Sequence, residues 1–458
     1  MSSLPSHPTP DHEPLLSSAC GKIMRRIVPI FAIMMFANQL DRANIGYAEH
    51  HLEADLGIGA AAYGLGAGLF FIAYVLFELP SNALMDRFGP RLWLSRICVT
   101  WGLVSALMFL VQGEISFYVL RFLLGIAEAG FVPAVLYYLT QWLPNTYRGR
   151  ANARYAVGAL VAFSVGGVIS GPLLAMDGVL GLHGWQWMFL IEGLLSVAIG
   201  VFAFFRLESR IENASWLTQP EKDALQAELD AERRAAAATA DHPRWWTVLR
   251  DRKVALFAFI YFTVQMSIYA NTFWLPSVVR GIDRADDITV GLLSSLPWIC
   301  AIVSMFTLSR IGDRTGRRKE LLIGALLTAA VGSLGAALVG PVLALVMLCV
   351  AAMGFKSISP IFWPIVQRQF HPVTVGFTIA IVNSIANLGG FVAPYGFGLV
   401  KEHTGSTQWG LIALALLSAV AAVATLFVRN APRIPDSGTQ IQKVGHRAPT
   451  NQPPRPTR

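Results

Sequence analysis

The sequence predicts an all-α integral membrane protein, with twelve transmembrane helices in two six-helix halves around a central cavity. Three observations carry this. Of 458 residues 54% are apolar and only 14% charged, and mean hydropathy is +0.52, outside the range of an ordinary soluble domain. Apolar runs near the spanning length of roughly 20 residues recur from Ile23 to Val428, about twelve in all. A short motif also recurs half the membrane region apart, as NALMDRFGPR (Asn82 to Arg91) and SRIGDRTGRR (Ser309 to Arg318). An internal repeat at that spacing means two related halves.

The net charge of +8 would fit nucleic acid if it were clustered, but its distribution excludes that partner. Apart from Arg42, Arg96, Arg121 and Lys356 within or at the end of spans, and Arg280, Arg284 and Lys401 on one side, every Lys and Arg falls on the tails and alternate loops of the other side. This positive-inside pattern predicts both termini in the cytoplasm and a multi-pass protein of the inner membrane, in contact with lipid. The chain divides into a disordered tail (1–22), a first half (23–206), a cytoplasmic linker (207–252), a second half (253–429) and a second disordered tail (430–458). Residues 1–21 are rich in Pro and Ser and carry no cleavable signal peptide. Cys20, Cys98, Cys300 and Cys349 show no metal or disulfide spacing. No HExxH or GxSxG motif stands in the spans, so neither an enzyme nor a cofactor is expected.

Span 1 begins near Met24 and contains FANQLDRANIGYA, with Asp41 and Arg42 pointing about 100° apart on a helix. Asn38 shares a face with Arg42, and Asn44 extends the polar surface. The alternative is that the helix has already emerged into headgroups by Asp41. His50 and His51 follow in an acidic outer stretch and are read as solvated, because adjacent residues diverge and make a poor metal pair. Span 2 carries Tyr74 and Glu78, then the first motif.

The fourth span, around YVLRFLLGIAEAGFVP (Tyr118 to Pro133), holds Arg121 and Glu128. Each charge at mid-bilayer costs ~2.5–3.5 kcal/mol on the insertion scale, so two in one span need a reason. At i and i+7 they share a face about 10.5 Å apart. Gly125, Ala127, Ala129 and Gly130 leave room for a neighbouring helix or a ligand. Either this is a solute or proton site, or it is an internal ion pair that locks the bundle.

Glu192 in span 6 is given a structural role, in contact with a neighbouring span. The linker contains WLTQPEKDALQAELDAERRAAAA, a helix capped by Thr218 with Pro220 and Glu221 in its first turn. It is read as a solvated tie between the halves. In the second half, span 7 offers Gln265, Tyr269, Asn271 and Trp274, and span 8 offers Pro297 and Trp298. Lys356 lies in span 10, either facing the cavity as a second anion anchor, or snorkelling or paired with an acid such as Glu192. Asn383 and Asn387 form a polar stripe in span 11.

The motif aligns as Asp86-Arg87-x-Gly89-x-Arg91 and Asp313-Arg314-x-Gly316-x-Arg318, and it resembles the gating signature of the major facilitator superfamily. Asn82 and Ser309 stand where that signature has Gly, and Pro90 also departs from it. LDRANIG, FELPSN, RFLLGIAEAGFVP, WMFLIEG, FWLP, FWP and NSIANLGGFVAPYGFG, in order through both halves, resemble the anion:cation symporters within that superfamily. The resemblance implies the major facilitator fold, alternating access, and proton-coupled import of a small organic anion by a functional monomer. It further implies that Asp41 and Glu128 couple protons while Arg42 and Arg121 recognise substrate. Tyr74, Gln265, Tyr269, Asn383 and Lys356 join them as candidate substrate contacts; Lys356 lies outside the family pattern. Tyr137, Trp274, Trp298 and Trp363 complete an aromatic lining that does not decide among tartrate-like, phthalate-like and hydroxyphenylacetate-like acids. A proton-coupled exporter of a drug or metabolite is the alternative.

Overall fold

The structure, a computed structural model, describes residues 12–238, 250–282, 285–370 and 372–428. Within them sixteen α-helices follow one another: α1 (His12–Arg26), α2 (Val28–Leu56), α3 (Ala60–Phe88), α4 (Pro90–Leu107), α5 (Glu114–Glu128), α6 (Phe131–Trp142), α7 (Asn145–Leu174), α8 (Gly184–Arg206), α9 (Gln219–Ala238), α10 (Arg252–Arg280), α11 (Asp287–Thr315), α12 (Arg318–Leu338), α13 (Pro341–Gln369), α14 (Pro372–Asn387), α15 (Gly389–Thr404) and α16 (Gln408–Leu426). The pairs α5–α6 and α14–α15 each make one broken span, so each half has six spans.

Among the described residues, eleven of these spans are long and apolar enough to cross a membrane by length and composition. The twelfth, α2, has 29 residues, about 43 Å at ~1.5 Å per residue. Asn38, Gln39, Asp41, Arg42 and Asn44 lower its hydropathy. It packs on α7, α8 and α10, so these polar groups face protein rather than lipid. Asp41 is 2% exposed and lies in mid-helix, which removes the headgroup alternative.

The halves meet through α2 on α10, α3 on α15 and α7 on α11. Glycine makes the approach possible at the end of the bundle away from α1. A Cβ on Gly167 would stand 2.0 Å from the Gly291 carbonyl oxygen, and one on Gly64 2.3 Å from that of Pro394. Polar groups seal the same end. Buried Glu49 accepts from Ser277 and from Lys401, each at 2.7 Å. Glu402 accepts from the Ala61 N–H at 2.8 Å, and His51 Nε2 lies 3.0 Å from Asp287, which also pairs with Arg280. Thus His51 is not simply solvated; it bridges the two halves. The protein is therefore closed at this end.

Two further expectations are corrected. Residues 12–22, assigned to a disordered tail, belong to α1, which docks on α9. The linker helix forms as expected, the Thr218 N–H donating to Glu221 at 2.9 Å, but it is not merely solvated. Glu221 also accepts from Ser18 and Lys22 of α1, and Glu232 holds Arg148 of α7 at 2.9 Å. The tail over 430–458 lies outside the described residues.

The repeated motif has a backbone reason. Gly89 has φ +83° and Gly316 φ +68°, values an L side chain adopts only with strain. In the first copy Arg91 donates to the Phe204 carbonyl at 2.7 Å and stacks over the Phe204 ring; Arg87 lies over Phe88. In the second, Arg318 pairs with Asp313 at 2.6 Å, while Arg314 is exposed. Asp86 sits in the last turn of α3.

Candidate functional site

Glycine and a helix break bring the central charges together. Gly125 has no Cβ; one placed there would lie 2.3 Å from the Phe70 carbonyl oxygen, so α5 and α3 pack backbone to backbone. Directly after Glu128 the helix stops. Gly130 takes φ +86°, Ser81 donates to the freed Ala129 carbonyl at 2.7 Å, and the chain restarts at Phe131. A broken helix in a membrane is stable only where other groups satisfy its backbone. The sequence carried this break as Gly130, read there only as a small residue that leaves room for a neighbour.

Glu128 is fully buried, and its partner is not Arg121 on the same helix. Arg42 of α2 takes it: Nε donates to Oε1 at 2.5 Å, and a terminal guanidinium nitrogen contacts the same oxygen. The other carboxylate oxygen has no hydrogen-bond partner among the described residues. Arg121 instead points to the α3 backbone, donating to the carbonyls of Gly66 at 3.4 Å and Ala67 at 3.5 Å. Both cations share Phe70, whose ring centroid lies 5.1 Å from the Arg42 and from the Arg121 guanidinium carbon. This ring gives each cation a π face. The internal ion pair, the alternative reading of this span, therefore does not form between Arg121 and Glu128; the pair that forms joins α2 and α5. Its side chain keeps 14% exposure at Arg42, whereas Arg121 is 1% exposed.

Asp41, adjacent to Arg42, turns away from it and accepts from Ser105 of α4. Glu192 accepts from Ser170 of α7 at 2.8 Å, a contact with a neighbouring span rather than with Lys356. Asp41 and Glu128 thus occupy different surroundings, one beside a hydroxyl and one beside a cation.

The second half faces this pair. Tyr74 of α3 lies under Arg42, its ring 5.1 Å from the guanidinium, and Tyr269 of α10 packs on Phe71 of α3 with ring centroids 4.4 Å apart. Gln265 donates to Asn387 at 3.3 Å. Asn387 closes α14 at the break of span 11; Asn383, one turn earlier, is exposed. Lys356 lies 4.9 Å from the Phe163 ring and 5.8 Å from Trp298. Those two rings stack at 4.4 Å across the α7–α11 contact between halves, so Lys356 sits at the halves' interface. Trp363 packs on Tyr261. Two members of the expected aromatic lining lie elsewhere. Trp274 is buried in the closed end, stacked on Phe397 beneath Lys401, and Tyr137 lines a cleft beside α9.

Twelve spans in two halves, closed at one end and carrying a buried ion pair at mid-depth, define a solute carrier. A family model for the Major Facilitator Superfamily matches residues 31–394 and, in a second match, 281–456. A "Quinolone resistance transporter" of Acinetobacter baumannii is 41% identical over 404 residues, covering 88% of this chain and 93% of that protein. A "Putative tartrate transporter" of Agrobacterium vitis is 39% identical over 423 residues, covering 92% and 94%. The inward-open xylose transporter XylE from E. coli shares the fold, with TM-score 0.70 at 14% identity over 90% of this chain and 98% of that one. The chain belongs to the Major Facilitator Superfamily. It is a multi-pass membrane transporter of small organic substrates and not an enzyme.

Proposed function

We propose that the protein is a proton-coupled symporter that imports a small organic anion by alternating access, as a monomer in the inner membrane with both termini cytoplasmic. The observation that carries this reading is the Arg42–Glu128 pair. A guanidinium offers a fork that fits a carboxylate, and here it is held by an internal carboxylate at mid-depth. A substrate carboxylate that takes Arg42 removes Glu128's counter-charge. A fully buried, unpaired carboxylate is costly, so Glu128 then binds a proton. Anion and proton binding are thereby linked, and the linkage is reciprocal. Asp41 is the second proton candidate. Tyr74, Tyr269 and Gln265 supply neutral hydrogen-bonding groups around the anion, with Lys356 as a cation from the other half. Arg121, bonded to backbone, is read as holding α3 on α5 more than as a direct anchor. The resemblance to anion:cation symporters and the relative named a putative tartrate transporter support a hydroxylated or aromatic carboxylic acid as substrate.

A second reading, proton-coupled export of a drug or metabolite, is favoured by the relative named a quinolone resistance transporter. Purified protein in proteoliposomes separates the two. Import predicts that an inward proton gradient drives accumulation of a radiolabelled organic acid and that a proton ionophore abolishes it. Accumulation driven only by an outward substrate-for-proton exchange supports export, and dependence on a Na⁺ gradient refutes the proton assignment.

A further inference from the structure

At the end of the bundle that carries α1 and α9 lies a cleft of about 710 Å³, lined by α1, the end of α8 and the start of the linker. Its walls are cationic. Arg25 and Arg26 stand in the last turn of α1, immediately before span 1, and Arg206 is the last residue of span 6. Among the described residues no carboxylate lies within ion-pair distance of these three. Arg26 instead lies 5.5 Å from the Trp216 ring, and Arg206 5.3 Å from Phe202. Lys22 also lines the cleft, but Glu221 already holds its ammonium at 2.8 Å.

Beside this cleft lies an exposed apolar strip. Phe205 is 73% exposed and Phe202 43% exposed, both on the outward strip of α8 next to Arg206. Trp216, an amphipathic ring of the kind placed at membrane–water interfaces, closes the opposite wall. A ligand for this place must therefore be anionic at one end and apolar at the other. Basic pockets at the ends of membrane helices hold phosphodiester headgroups in this way. From this geometry we infer that the cleft binds one anionic phospholipid, its phosphate between Arg25, Arg26 and Arg206 and its acyl chains along Phe202 and Phe205. Such a lipid ties α1, the linker and span 6 to one another. It plays no part in the central site.

The test uses the full chain, extracted from membranes and studied by native mass spectrometry with added phosphatidylglycerol or phosphatidylcholine of the same chains. The wild type is expected to retain phosphatidylglycerol in clear preference. The triple variant Arg25→Gln, Arg26→Gln, Arg206→Gln should lose that preference by about tenfold or more, each cation near an anionic surface being worth about fivefold. A matched control, Arg250→Gln, Arg252→Gln, Lys253→Gln, removes as many exposed charges next to the start of α10 and should keep it. Equal loss in the control means diffuse attraction and overturns the site. A large excess of inorganic phosphate should not displace the lipid; displacement to the level of the triple variant assigns the cleft to a free anion instead. If the triple variant is not monodisperse, the single variants Arg25→Gln and Arg206→Gln decide by graded loss, and no loss in either refutes the inference.

Discussion

Replacing Glu128 by Gln should separate anion binding from proton coupling, because in the proposed mechanism Glu128 competes with the substrate for Arg42. Gln keeps the size and one carbonyl acceptor for Arg42 Nε, but it removes the charge. In the wild type a bound anion must displace a charge-assisted contact worth about 1.5–3 kcal/mol. Most of that competition disappears in the variant, so substrate should bind about 10- to 100-fold more tightly at neutral pH. Binding should also lose its pH dependence. Counterflow, which exchanges loaded carriers without net proton movement, should persist while proton-driven accumulation ceases. Isothermal titration and vesicle uptake on the same preparation provide the assay, with thermal stability measured beside them. A well-folded variant that binds no more tightly and still accumulates substrate would refute the reasoning and leave Asp41 as the coupling acid.

Other outcomes follow from the same contacts. Arg42→Lys retains the charge but not the fork, and should weaken substrate binding by about 10- to 100-fold, the loss of one charge-assisted bond; unchanged KM would move the anchor elsewhere. Lys356→Met should weaken a dicarboxylate more than its monocarboxylate analogue, whereas equal losses with normal folding give Lys356 a structural role. Gly167→Leu drives a side chain into the Gly291 carbonyl, so the closed end should stay open; a cysteine placed nearby should then label from outside, and wild-type protection there would contradict the packing argument. Glu221 lies outside the membrane: burial would raise its carboxyl, but hydrogen bonds from Lys22, the Thr218 N–H and Ser18 outweigh it and hold it at about 2. Since that value is below the ordinary 4.5, its stabilisation is complete above about pH 4.5 and fades as pH falls towards 2. Glu221→Gln should accordingly loosen α9 from α1 at neutral pH, seen as faster hydrogen exchange in α9; unchanged exchange would make the contact incidental.

The span number, the two halves and the polar run of α2 were legible because hydropathy and an internal repeat are properties of the chain itself. The buried ion pair was legible only as a set of residue types. Spacing along α5 put Arg121 and Glu128 on one face, but which cation reaches Glu128 depends on how α2 and α3 pack against it. Phe70, an ordinary aromatic in an apolar span, touches both cations and gave no signal. Ser105 was hidden for the same reason, being defined by the helix opposite. The contacts at the closed end were also illegible. His51 looks like a solvated surface histidine until the second half delivers Asp287.

The central claim is that an organic anion and a proton enter together. Proteoliposomes with a pH dye outside, given an organic acid at its fully ionised pH, measure this directly. The account predicts alkalinisation of the exterior on substrate addition with wild-type protein, and none with Glu128→Gln. Acidification of the exterior, or equal alkalinisation by both proteins, would contradict it.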